Sequence, residues 1–511
     1  MRKLLFLTLL LQTATISAQD PGDAFFGAWT VHEIRFTFSQ PGFWDSLSQN
    51  YTLDQYMRAD VAIDGQSYPQ SGVKYKGNSS YNNQGLKKPF RIDLAEYVDD
   101  QSHDGLKKLV LNNGFKDPSM LREKLMLDYL NDHGVNAPRC SFARLYVNNQ
   151  YRGLYTVVED VNKTFLSDRF GNKDGNLFKG DPRGTLNWKG PEQALYYTDY
   201  ELKTNETEND WSDLVELLDK LNNTPASQLE TVLSGAMNIQ SWYKYWAAHN
   251  LFVNLDSYVG SGHNYFLYHN TETDRFEWIT WDVNEAFGNF QMGISLASLK
   301  VLPIGHIPMP AQQRPILNRF WQDPLLKAAY ADVYCDLVQD FSNQKMNARI
   351  DSLADLIRTA VYDDPFKFYT NTQFEQNLNQ DLPGGGGPGL SGIAGIKPFI
   401  AARRASVLQQ LAAFGCSATS TGEPATGEAL LVWQEGENAI ISHPGPFQYR
   451  IFSTNGQLAG SGSGEDQVSH PIPVTTTGLL IVQVTKKSGT CFIGNEVPGN
   501  RLRVRVPCPP L

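Results

Sequence analysis

The chain has 511 residues, with 44 lysines and arginines against 54 aspartates and glutamates, so its formal charge is −10. A net acidic chain argues against a nucleic-acid or anionic-membrane scaffold, because those partners reward basic surface. Hydrophobic residues at 41% against 19% charged supply enough apolar side chain for a real core and exclude global disorder.

In chain order, Met1-Arg2-Lys3 precedes an apolar run at 4–11 and a small-residue end at Ser17-Ala18. This predicts a secretory signal peptide over 1–18, cleaved after Ala18, and a secreted or cell-surface protein. The run is short for a bilayer crossing, so no transmembrane span is expected; an uncleaved anchor is the alternative. Strand-like segments follow: WTVHEIRFTF, VAIDG, GVKYKG and PFRIDLAEY. A helix is expected next, with Asp117 as N-cap, Pro118 in its first turn and Gly134 as its stop. Leu121, Leu125 and Tyr129 share one face of it. Two strands, CSFARLYVNN and YRGLYTVVED, are then joined by a hairpin turn at Asn148-Asn149-Gln150.

Beyond residue 210 the pattern turns helical, with candidates at 211–221, 238–250, 324–341, 345–361 and 397–413. The glycine-rich stretch at 383–389 reads as a mobile surface loop. The sum is an α+β bilobal domain over 19–415. A small, polar linker at 416–428 leads to alternating apolar runs at 429–511, which predict an antiparallel β-sandwich. The five cysteines, Cys140, Cys335, Cys416, Cys491 and Cys508, show no CxxC spacing and so no zinc site. Cys491 and Cys508 could bridge the terminal segment, and an odd count leaves at least one thiol unbridged.

Three segments carry chemistry. In Lys76-Gly77-Asn78-Ser79 a small-residue turn lets backbone N–H groups approach a phosphate, although many such turns are only turns. Lys87, Lys88 and Arg91 follow, any of which could reach back over phosphates or merely solvate an edge strand. In the stretch 250–270, Asp256 and Asn264 bracket a glycine loop. An acid there can orient or deprotonate a hydroxyl, and an amide carbonyl offers a neutral oxygen to a hard cation. His263 reads better as a structural histidine. Finally, an aromatic strand delivers Asp282 at its end, beside Asn284 and Glu285, where carboxylates suit magnesium or cap a turn.

These segments together resemble the CotH kinase family. The matching text is KYKGNSS, KKPFRIDL, DPSMLREKLMLDYL, LYVNNQYRGLYTVVEDV, GNLFKGD, NLDSYVGSGHNYFLY, ITWDVNEAFG and FIAARRASVLQQL, in the family's order from about residue 30 to 413. The resemblance implies an atypical protein-kinase-like fold and transfer of the ATP γ-phosphate to protein hydroxyls. It implies Asp256 as base, Asn264 and Asp282 on Mg²⁺ (or Mn²⁺), Gly77-Asn78-Ser79 over the phosphates, and Glu159 near the inter-lobe connection. The chain departs from ordinary protein kinases in lacking GxGxxG and HRD, so the phosphate lysine is not fixed: Lys76, Lys88 and Lys179 all stand. Arg122 and Glu123 lie on the helix that would supply an ion-pair partner. The last 80 or so residues resemble the C-terminal sorting domains of Bacteroidota type IX secretion, through FQYRIFSTNGQLAGSG and GLLIVQVT. The expected partners are a secreted or surface protein substrate and, through that last segment, secretion machinery; no nucleic acid is expected. A non-catalytic surface or matrix scaffold that keeps the fold is the alternative, as is nucleotidyl transfer from the same pocket.

Overall fold

A computed structural model describes residues 20–383 and 392–417, together with paired strands between 429 and 507. The expected signal peptide, nearly all of the 383–389 loop, nearly all of the linker, and Cys508 lie outside the described residues. The chain divides into two compact units, Met1–Ala418 and Thr419–Leu511.

The first unit begins with a closed seven-stranded barrel. Its strands are β1 (Val31–Thr37), β2 (Met57–Ile63), β3 (Gln66–Tyr75), β4 (Phe90–Asp93), β5 (Lys108–Asn112), β6 (Cys140–Val147) and β7 (Gln150–Glu159). Neighbours run antiparallel in the order β1-β2-β3-β4-β5-β7-β6, and β6 closes on β1 in parallel. Period-two alternation turns one face of each strand inward. Ile34, Phe36, Val61, Ile63, Val73, Ile92, Leu109 and Leu111 are thereby fully buried in one apolar cluster. The hairpin between β6 and β7 turns at Asn148 and Asn149, both with positive φ, as expected for an Asn-Asn turn.

A second sheet, in the order β11-β10-β8-β9, comprises β8 (Leu177–Lys179), β9 (Glu201–Leu202), β10 (Tyr265–Asn270) and β11 (Arg275–Thr280). Helices Ser212–Asn223, Ile239–Leu251, Pro324–Asp340, Asn343–Asp363 and Ile396–Leu411 fall close to the expected ones. Asp323 caps its helix through the amides of Leu325 and Leu326, with Pro324 in the first turn. A second buried cluster spans these helices and the outer side of the barrel, with Trp242, Trp246 and Trp278 almost wholly enclosed.

The helix expected from Pro118 instead starts later, at Arg122, and runs to Asp132. Met120 has φ +57, which breaks helical geometry ahead of it. Asp117 still serves the first turn, accepting from the amides of Ser119 (3.0 Å) and Arg122 (2.9 Å). Gly134, at φ +63, ends the helix as expected. A disulfide joins Cys335 to Cys416, a pair that spacing did not single out, and Cys140 is a buried free thiol.

In the second unit six strands pair antiparallel: β12 (Ala429–Glu435), β13 (Asn438–Ser453), β14 (Leu458–Pro471), β15 (Leu480–Lys486), β16 (Gly489–Asn495) and β17 (Val504–Pro507). β13 holds them together, meeting β14 along its length, β12 at one end and β15 at the other. Among the described residues no helix is long and apolar enough to cross a membrane.

Candidate active site

The register of β3 against β4 pairs Tyr75 with Phe90, both buried inside the barrel. The next residue, Lys76, therefore leaves the barrel on its outer side. Its Nζ donates to Oδ1 of Asn112, the last residue of β5, at 3.0 Å. Asn112 Nδ2 donates in turn to both carboxylate oxygens of Glu123, at 2.8 and 3.0 Å. A cation on the barrel is thus joined to an acid on the helix Arg122–Asp132 through one amide. Burial holds the Lys76 ammonium below its ordinary range, partly offset by the charge of Asp282. Burial, and then Asp282, push the Glu123 carboxyl up to about 8.

The helix Ile239–Leu251 feeds a tightly wound loop. A Cβ at Gly260 would lie 1.9 Å from Leu255 O, and one at Gly262 (φ +95) would meet the Arg314 guanidinium. Arg314 binds the turn's carbonyls, with Nε to Tyr258 O at 3.0 Å and Nη2 to Gly260 O at 2.5 Å. On this loop Asp256 Oδ1 lies 3.3 Å from His263 Nε2 and accepts from Ser261 Oγ at 3.3 Å. Asn264 Nδ2 donates to Asp256 O at 2.9 Å, so the amide's donor end is used on the loop and Oδ1 is the end suited to a cation. Burial raises the Asp256 carboxyl to about 6, with the charges of Asp282 and Glu285 adding to it and His263 opposing.

Antiparallel pairing of β10 with β11 sets Tyr265 opposite Thr280. Asn264 precedes Tyr265 and Asp282 follows Thr280 by two, so both emerge at the same end of the hairpin. Asp282 sits at φ +52. Beyond it, Glu285 is held by Lys116 Nζ at 2.8 and 3.1 Å, tying this loop to the one that follows β5. Asp256, Asn264 and Asp282 are therefore brought together with Lys76, as the sequence order alone could not dictate.

The loop is braced from below by His249. Its ring lies between Asn254 Nδ2 (3.2 Å from Nδ1) and Thr280 Oγ1 (3.2 Å from Nε2), which joins the helix, the Asp256 loop and β11. Burial pushes its pKa down to about 3. The unfolded chain takes up a proton near pH 6.5 and the folded one does not, so folding stability is intact above 6.5 and falls as pH drops towards 3. The loss reaches roughly 4–5 kcal/mol for this one group. Urea unfolding between pH 8 and 3 should show it as a slope that His249→Gln protein lacks; parallel curves would contradict it.

The remaining residues singled out in the sequence fall into two groups. Gly77 (φ +77) begins the expected turn, where a Cβ would lie 2.3 Å from Ser80 Oγ. Asn78 Oδ1 accepts from Asn82 Nδ2 at 2.9 Å, and Ser79 lies exposed beside it. Lys179 pairs with Asp181 and is close enough for its charge to depress Lys76. The other three have different employment. Lys88 Nζ donates to the carbonyls of Tyr81 (2.7 Å) and Asn83 (2.6 Å), stitching the loop to itself. Arg122 is fully buried against Asp117, Asn377 Oδ1 (3.0 Å) and Ala394 O (2.6 Å). Glu159 sits between Arg139 (2.5 Å) and Arg169 (3.3 Å) in an ion cluster at the end of β7. Buried charges need such partners, and these are supplied from within the fold.

Sequence reasoning missed Asn112, Lys116 and Ser261. No motif marks them, and only a strand ending on an Asn-Asn pair hinted at Asn112. Among the described residues no three His, Cys, Asp or Glu side chains gather as a metal cage. A cavity of about 500 Å³ opens elsewhere, beside Trp188, Glu192 and Glu216.

An ammonium, an amide and two carboxylates set near one another are the equipment of a kinase-type enzyme class. The CotH kinase protein family model matches residues 73–380, more than half of the chain, and the chain belongs to that family. Inner spore coat protein H of Bacillus subtilis (strain 168) is 26% identical over 287 residues, covering 55% of this chain and 75% of that protein. Among solved structures, the Helicobacter pylori proinflammatory kinase CtkA aligns at 8% identity over 66% of this chain and 92% of its own, with a TM-score of 0.31. A chain of the Shewanella oneidensis MR-1 HipA, HipB and operator DNA complex aligns at 10% identity over 60% of this chain and 57% of its own, with a TM-score of 0.24.

Proposed function

We propose that this protein is an exported kinase that transfers the γ-phosphate of ATP to hydroxyl side chains of secreted or surface proteins. The observation that carries this reading is that Asn264 and Asp282 emerge at one end of the β10–β11 hairpin, where Asn264 Nδ2 also holds Asp256 O at 2.9 Å. Their donor set fits magnesium, which takes one or two carboxylates from protein and otherwise oxygen ligands. Asp282 and Asn264 Oδ1 would hold the ion. Bound there, it would neutralise charge on the phosphoryl group in flight.

The chain's own residues do the rest. Lys76 binds the nucleotide phosphates, kept in place by Asn112. Asp256 orients the acceptor hydroxyl and receives its proton as the new O–P bond forms and the bond from the γ-phosphorus to the bridging oxygen breaks. The Gly77-Asn78-Ser79 turn offers backbone N–H groups to the phosphates. Export rests on the N-terminal segment alone, and a surface location is supported by a relative named for the spore coat. The second unit, as a β-sandwich sorting module, would engage secretion machinery.

Thermal unfolding with and without magnesium and ATP tests the nucleotide site. Wild-type protein should gain about 2.7 kcal/mol at 100 times Kd, only with the metal present, and Asp282→Ala protein should gain nothing. Well-folded wild type with no gain would sink the reading.

A further inference from the structure

The segment 364–369, between the helices Asn343–Asp363 and Asn371–Asn379, is a strap packed on the barrel through Asp364 and Phe366. Its contacts are unusually specific. Asp364 and Lys87 form an ion pair of 2.6 Å with side chains 2% and 0% exposed. Asp364 Oδ2 also accepts from Leu154 N at 3.0 Å, and Lys87 Nζ donates to Leu154 O at 2.5 Å. Gly153 makes room for the carboxylate, since a Cβ there would lie 2.3 Å from Asp364 Oδ1, and its φ of +111 suits only glycine. Further along, Phe368 packs so closely on Gly85 that a Cβ would lie 2.7 Å from the ring. Phe368 also meets Phe115 edge-on at 5.5 Å, and Arg152 lies over Phe366 at 4.1 Å.

Lys87 and Gly85 belong to the same connection between β3 and β4 as Gly77, Asn78 and Ser79. That connection is tied to itself by Lys88 and to Asn113, whose Nδ2 donates to Ser80 O (3.0 Å) and Lys87 O (2.7 Å); Tyr51 OH donates to Gly77 O (2.7 Å) with its ring stacked on Tyr81, and Tyr155 OH donates to Lys88 O (3.0 Å). Its only described ion pair to the helical part of the unit is the one to Asp364. A buried ion pair contributes little net stability, because desolvation offsets attraction, but it fixes one register over others. We propose that Asp364 is a positioning residue, and that through Lys87 the strap holds the 77–88 connection as a fixed cradle rather than a mobile flap. This rests on the reading of that turn as the phosphate contact. Nucleotide affinity then depends on a residue that never touches the nucleotide, and the long helix Asn343–Asp363 is mechanically joined to the phosphate site.

Hydrogen exchange and kinetics on the full chain test it, with Asp364→Asn and with Lys87→Met/Asp364→Leu, which leaves no buried charge unopposed and so guards against failure to fold. Both should exchange amides 77–86 about tenfold faster or more, with the helix Arg122–Asp132 unchanged, and should raise KM for magnesium ATP about tenfold while kcat moves far less. Folded variants with unchanged exchange at 77–86 would overturn the proposal, and so would unchanged KM. In wild type, protection at 77–86 should match that of 364–369; free-peptide exchange at 77–86 beside a protected strap would also overturn it. A wild-type protein without nucleotide turnover would sink the kinase reading instead, and exchange would still decide the strap.

Discussion

Asp256→Asn protein is expected to fold, to bind magnesium nucleotide as wild type does, and to lose γ-phosphate transfer by about 10²–10⁴-fold. The asparagine keeps the shape and can still face His263 and Ser261. It cannot take a proton. Binding should survive because the groups assigned to metal and phosphates are Asn264, Asp282 and Lys76, and Asn264 grips Asp256 through its backbone carbonyl rather than its carboxylate. A split between intact binding and absent transfer separates Asp256 from Asp282, whose loss removes both. Equal loss of binding in the two variants would show that Asp256 belongs to the metal site instead.

The second large effect concerns stability alone. Arg122→Ala should destabilise the protein by about 3–5 kcal/mol, because it leaves the Asp117 carboxylate buried without its cation. Asn377 Oδ1 would lose its Arg122 donor, and the Ala394 carbonyl would keep only Asn377 Nδ2 at 3.0 Å, which loosens the seat of the helix Ile396–Leu411. Urea unfolding measures the loss. The folded fraction should keep its nucleotide affinity, since the Arg122 guanidinium is engaged by Asp117, Asn377 and the Ala394 carbonyl. A drop in affinity with stability unchanged would return Arg122 to the nucleotide site.

Asp256, Asn264 and Asp282 were legible because each lies on a short, strongly patterned stretch: a glycine loop, a strand start and a strand end. Hairpin pairing of β10 with β11 then brings Asn264 and Asp282 to one end, and the bond from Asn264 Nδ2 to Asp256 O adds Asp256. Period-two alternation likewise makes β1, β2 and β3 readable, while β5 (Lys108–Asn112) presents the unbroken apolar run Leu109-Val110-Leu111 and shows no alternation. Its last residue, Asn112, was missed for the same reason, although it is the link between Lys76 and Glu123. Arg122 and Glu159 show why a charge near a motif looks the same in sequence whether it meets a ligand or a buried partner: Arg122 closes on Asp117 and the distant Asn377, and Glu159 on Arg139. Asp117-Pro118 reads as the cap of the helix, but positive φ at Met120 delays its start to Arg122.

The most direct test of the central claim is transfer of label to protein from ATP carrying it on the γ- or the α-phosphate, with magnesium, by wild-type and Asp256→Asn protein. Label is expected from the γ position only, dependent on the metal and absent from the variant. Label from the α position would make the site a nucleotidyl transferase. No label from either, in protein that is folded and stabilised by magnesium ATP, would contradict catalysis and leave a scaffold that keeps the fold.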